Sequence, residues 1–134
     1  MGRGSPDVRV LLDTHALLWW LDGDKRLPLR ARRVMGQSDA VVLVSAASAW
    51  EITTKARLGK LPGAIDVAAN VTACIVSQGF TALPISVDHA QRAGSLPGPH
   101  RDPFDRMLIS QSLEAHIPIV TQDPAFRLYG CQLA

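Results

Sequence analysis

Cysteine is scarce in this chain: Cys74 and Cys131 are the only two. They lie far apart, with neither the spacing of a metal site nor the density of a disulfide framework, so reduced thiols are expected. No apolar stretch approaches the roughly 20 residues that a membrane span needs. The opening "MGRGSPD", Met1 to Asp7, is polar and lacks the apolar core of a leader. These absences lead to the expectation of a soluble, cytoplasmic protein with no membrane partner. The net charge is only +2, too little to indicate a nucleic-acid partner by itself. The sequence has no internal repeats and no low-complexity linker.

What is present suffices for one domain. With 134 residues, 47% of them hydrophobic, the chain can bury a single core and not two. Short aliphatic and β-branched runs read as buried strands: "VRVLL" at 8–12, "AVVLV" at 40–44 and "IPIVT" at 117–121. "ALPIS" at 82–86 is a weaker fourth, which Pro84 pushes toward a sheet edge. Helical stretches lie between them: Leu27 to Gly36, a segment from Ser45 to Gly59, and one continuous helix through "AIDVAANVTACIVSQG" to Gly79. Strands apolar on both faces and alternating with helices predict an α/β fold whose parallel sheet is covered on both sides.

Such sheets place ligands beyond the carboxyl ends of their strands, and acids stand there. Asp13 follows the first strand and Asp123 the last, although Asp13 or Thr14 also suits a helix cap and Asp123 a turn before Pro124. Glu51, one of only two glutamates, lies among small and apolar neighbours in "SAASAWEI". An ion pair with Lys55 at i+4 is its local alternative. In "HRDPFDR", Asp102, Pro103 and Asp105 make a complete helix start, with N-cap, first position and favourable acid.

Local roles do not require four separated segments to bring carboxylates to one sheet edge. Gathered acids repel one another unless a cation offsets them, and hard oxygen donors suit Mg²⁺ or Mn²⁺. A divalent ion so held serves phosphodiester hydrolysis. The clusters Lys25, Arg26, Arg30, Arg32, Arg33 and Lys55, Arg57, Lys60 then supply cations for a polyanion, their alternative being the solvated face of a helix. Arg101 and Arg106 are phosphate contacts or local ion-pair partners. His15, His89, His100 and His116 show no metal-ligand spacing and are not assigned to the site.

The blocks "LLDTHALLWWL", "SAASAWEITTKARLGKL", "HRDPFDRMLISQS" and "IPIVTQD" resemble, in order and spacing, the PIN domain, and within it the toxins of VapBC-type pairs. The likeness runs from about Val8 to the C-terminus. It implies a three-layer α/β/α sandwich with a mainly parallel sheet, a PIN-like domain over 8–134 after an N-terminal arm at 1–7. It also implies Mg²⁺- or Mn²⁺-dependent RNA cleavage. Matched by motif, Asp13, Glu51, Asp105 and Asp123 are the catalytic and metal-binding acids, Asp123 matching the more variable position. Asp102, Thr14 and Thr121 are accessory, and Lys55, Arg57, Lys60, Arg101 and Arg106 are RNA-binding candidates. Ser110 and Ser112 depart mildly from the pattern, standing where alanine is common.

The resemblance further implies a homodimer and a small VapB-like antitoxin whose C-terminal segment covers the groove. Trp19, Trp20 and Trp50 are candidates for that contact, with core packing as the alternative. Two other classes are weighed against this one. A phosphatase acting through an aspartyl phosphate also uses an Asp after the first strand, but His15 stands where its second Asp belongs, and no lysine follows "IPIVTQD" as a receiver-like site needs. A non-catalytic binding module would keep the fold and not the chemistry.

Overall fold

Residues 8–134 are described by a computed structural model; the arm expected at 1–7 lies outside the described residues. β1 (Val8–Leu12) and β2 (Ala40–Ser45) pair in parallel. β3 (Thr81–Leu83) and β4 (Ile119–Val120) add to their outer sides, giving the order β3-β2-β1-β4 with every pairing parallel.

The register explains why these strands read as continuous apolar runs. Leu12 lies beside Val44 and Val120, while Leu11 lies beside Leu43 and Ile119. Because successive side chains point to opposite faces, the first set enters one core cluster and the second set the other. On the first face pack α1 (Thr14–Asp22), α2 (Leu29–Met35), α3 (Ala46–Arg57), α4 (Ile65–Ala69) and α5 (Val71–Ser77), through residues such as Leu17, Met35, Ile52 and Ile75. On the second pack α7 (Pro103–Ala115) and α8 (Pro124–Leu128), through Leu108, Ile109 and Phe126. Each fully buried Leu or Ile contributes about 1.5–3 kcal/mol, so both faces of this sheet are core. This is the expected α/β/α sandwich.

Three expectations are corrected. The helix predicted through 64–79 is broken at Asn70, whose backbone leaves the helical region (φ −160°, ψ 86°) and whose side chain caps α5 by accepting from Ala73 N–H. A polar side chain able to bond its own backbone competes with the helix there. The strand predicted at 82–86 ends before Pro84, and the following residues start α6 (Val87–Ser95) from a reciprocal Ser86–His89 cap. The strand predicted at 117–121 shortens to Ile119–Val120, its outer edge bonded to the C-terminal segment by Ile119 N–H to Gln132 O at 2.9 Å. Among the described residues no helix is long and apolar enough to cross a membrane.

Candidate metal centre

The carboxyl ends of β1, β2 and β4 are held level. Asp13 N–H donates to Val120 O at 3.1 Å, joining the residue after β1 to the end of β4. Asp13 alone links β1 to α1. Its Oδ1 accepts from Ala16 N–H at 2.7 Å, so the capping role read from the sequence is real. The side chain is only 7% exposed. Burial pushes its carboxyl pKa up, hydrogen bonding by the Thr121 hydroxyl and Ala16 N–H works against that rise, and the nearby Glu51 charge adds to it.

Glu51 projects from the second turn of α3 and is buried at 3% exposure. Ser45 sets the start of that helix by accepting from Ala47 N–H, and its own hydroxyl donates to Gln111 Oε1 at 2.6 Å on α7. One Glu51 oxygen accepts from the Thr14 hydroxyl at 2.6 Å, which ties α3 to the start of α1; the other meets Lys55 Nζ at 2.5 Å. The i+4 ion pair is therefore formed, with Glu51 buried and Lys55 half-buried over it. Burial works to lower the Lys55 pKa, yet the Glu51 contact and the charges of Glu51, Asp102 and Asp105 raise it on balance. Lys55 is spent as an internal counterion.

Asp102 caps α7 with one oxygen, accepting from Phe104 N–H at 2.9 Å and Asp105 N–H at 3.1 Å. Asp105, the third residue of α7, is free of that duty. Its carboxyl is pushed up to about 6, chiefly by burial and further by the charges of Asp102 and Glu51, against the hydrogen bond from His100. Asp123 caps α8 by accepting from Ala125 N–H at 2.9 Å, and its own N–H donates to Thr121 Oγ1 at 3.0 Å. The turn before Pro124 is thus also a helix start.

His100 is the residue that sequence reading missed. One ligand atom each from His100, Asp105 and Asp123 lie within 4.8 Å of one another, a group that does not include Asp13 or Glu51. His100 Nε2 stands 2.9 Å from Asp105 Oδ2. It arrives there because its loop is anchored three ways. Its N–H donates to the Tyr129 hydroxyl at 3.0 Å. Its carbonyl accepts from Arg106 Nη1 at 2.9 Å, and the same guanidinium bonds the carbonyls of Ala93 and Leu96. Gly98 lies against the Tyr129 ring with φ +109°, where a Cβ would come within 2.5 Å of the hydroxyl oxygen. The available signal was local: a histidine five residues before Asp105, across a helix cap, is within reach of the first turn.

Other candidates separate. Arg106 bonds three backbone carbonyls and makes no ion pair among the described residues. Arg57, Lys60 and Arg101 are exposed. Ser110 and Ser112, the departures from the family pattern, are buried and donate to backbone carbonyls. Trp19 and Trp20 pack against the core, Trp20 also donating to Gln78, whereas Trp50 is 58% exposed. A cavity of about 750 Å³ runs along the outer edge of β4 between Arg30 and Arg127 and meets the centre only through Thr121.

The donor set fits a hard divalent cation. Carboxylate oxygens predominate, and Asp13 is a buried carboxylate with no cationic partner among the described residues. An ion at the edge would offset charge that the fold has already desolvated.

Against protein-family models, residues 10–130 match the PIN domain. Among solved structures, the chain is similar to the sarcin-ricin loop cleaving toxin VapC20 of Mycobacterium tuberculosis, at 17% identity over 93% of this chain and 98% of that one, with a TM-score of 0.66. It is also similar to VapBC2 from Rickettsia felis, solved bound to a DNA fragment from its promoter, at 12% identity over 93% and 96%, with a TM-score of 0.65. At these identities the likeness is one of fold. Comparison with curated protein sequences finds no match.

Proposed function

The chain belongs to the PIN-domain family, and from that premise we propose that it is a divalent-metal-dependent endoribonuclease acting as the toxin of a toxin-antitoxin pair in the cytoplasm. The observation that carries this reading is the meeting of His100, Asp105 and Asp123 ligand atoms within 4.8 Å at the carboxyl edge of a parallel sheet, beside buried Asp13 and Glu51. Asp105 and Asp123 would hold the ion directly with His100 beside them, and Asp13 and Glu51 would complete its surroundings. A bound Mg²⁺ or Mn²⁺ supplies charge stabilisation at a phosphoryl group and a more acidic water. The residues themselves contribute position. Asp13, Asp102 and Asp123 each fix a helix start with one oxygen, Thr14 orients Glu51, and Lys55 holds one Glu51 oxygen.

RNA is the proposed substrate and a homodimer the proposed assembly, and VapC20 and VapBC2, as neighbours in fold, support a toxin role with a VapB-like antitoxin. The test is direct. Induced expression arrests growth, a small neighbouring gene relieves the arrest, and Asp13→Asn or Asp105→Asn abolishes it while the protein stays folded. Purified protein cleaves RNA with Mg²⁺ or Mn²⁺ and not with EDTA. Full toxicity of both variants would sink the proposal. Sequencing RNA 5′ ends after brief induction identifies the target.

One observation favours a second reading, a PIN-fold binding module without catalysis. The Lys55 ammonium already neutralises Glu51, as a resident cation would. Absence of any metal-induced rise in thermal stability would decide for it.

A further inference from the structure

Trp50 and Phe104 stand immediately before two of the proposed metal acids, Glu51 on α3 and Asp105 on α7. Their rings meet edge to face, with centroids 4.8 Å apart and planes at 77°. Trp50 is 58% exposed, whereas Trp19 and Trp20 are packed on the core. A tryptophan carries 150–250 Å² of mostly apolar surface, so leaving it in water is costly, and holding its orientation against Phe104 adds order without burial.

Exposed cations lie on the same segments. Arg57 is seven residues after Trp50 in α3, which places it on the same helix face about 10 Å further along. Arg57, Lys60 and Arg101 are all exposed, and Arg101 directly precedes the cap of α7. An exposed tryptophan oriented by a half-buried phenylalanine, next in sequence to acids of the centre and with exposed cations on the same segments, matches how unpaired bases are held: a ring to stack on and positive charge for the backbone. Bases inside a duplex have both faces covered and cannot use it.

We propose that the Trp50–Phe104 pair is a stacking subsite for an unpaired nucleobase next to the scissile phosphate. This rests on the ribonuclease reading. It assigns Trp50 to RNA rather than to the antitoxin, and Phe104 to bracing it.

Binding is measured by fluorescence anisotropy with Mg²⁺ in an Asp105→Asn background, which keeps the RNA uncut. The ligands are a fluorescein-labelled 12-nucleotide single strand and a duplex of the same length. Trp50→Phe should retain single-strand affinity within about threefold. Trp50→Ala should lose about ten- to a hundredfold, with duplex binding unchanged. Undiminished single-strand affinity of Trp50→Ala overturns the proposal, as does an equal loss for the duplex. Release of a co-expressed antitoxin by Trp50→Ala with RNA binding intact also overturns it, giving the surface to a protein partner. Failure of the parent reading is separate: protein with native Asp105 would leave RNA whole in Mg²⁺, while the Trp50 dependence of binding would still be read.

Discussion

Replacing Asp105 by asparagine should stabilise the metal-free protein, and by an amount that depends on pH. The carboxyl is held at about 6 in the folded chain against an ordinary value of 3.8. That rise of roughly 2 units, at about 1.4 kcal/mol each, means that ionised Asp105 costs the fold on the order of 3 kcal/mol. Below about pH 3 the residue is protonated in both folded and unfolded chains, and the cost is absent. Between about 4 and 6 the unfolded chain has given up a proton that the folded one still holds, so stability falls across that window and levels off above it.

Asparagine is neutral throughout, so the gap between variant and parent should open from near zero at pH 3 to about 3 kcal/mol at pH 7.5. For a chain of this length that is roughly 10 °C in melting temperature. Thermal unfolding in EDTA at half-unit pH steps measures it. Mg²⁺ or Mn²⁺ should then close the gap by stabilising the parent more than the variant, with apparent metal affinity rising as pH passes 6 because binding displaces the proton. A gap that stays constant from pH 4 to 8, or a variant less stable at every pH, would refute the reasoning.

Gly98→Ala should destabilise by about 2 kcal/mol, because φ +109° and a Cβ 2.5 Å from the Tyr129 hydroxyl both oppose it; calorimetry together with Mn²⁺ titration should show weaker metal binding as His100 shifts. Arg106→Lys should lose about 2 kcal/mol, since an ammonium cannot reproduce a planar fork serving Ala93, Leu96 and His100 carbonyls, and chemical denaturation reads this directly. Lys55→Met leaves Glu51 buried without its cation and should cost about 2 kcal/mol in EDTA, with part of the loss recovered in Mg²⁺. Asp102→Ala, which removes an acceptor for two N–H groups, should cost about 1 kcal/mol, while Asp102→Asn should cost little.

The sheet was legible because both of its faces are core, which makes Val10–Leu12 and Ala40–Val44 aliphatic. Helix starts at Asp13, Ser45 and Asp102 were legible because caps are local chemistry. Asn70 was misread since its neighbours keep a helical apolar spacing, and only its own side chain interrupts it. Of the proposed site, the acids could be named from strand ends and motif. The role of His100 could not, because Arg106, Gly98 and Tyr129 fix its loop, and Tyr129 lies far along the chain. The carbonyl bonds of Arg106 were likewise not legible, since Ala93 and Leu96 come to it through a loop.

Asp13, Asp102 and Asp123 each cap a helix through Oδ1 alone. Asparagine has the same oxygen in the same place, so the helix starts survive an aspartate-to-asparagine change that would strip the centre of its charge. One such codon change at Asp13 or Asp123 would then yield an intact but silent molecule, still able to occupy the proposed antitoxin. A population carrying such copies would hold decoys that draw inhibitor away from active chains.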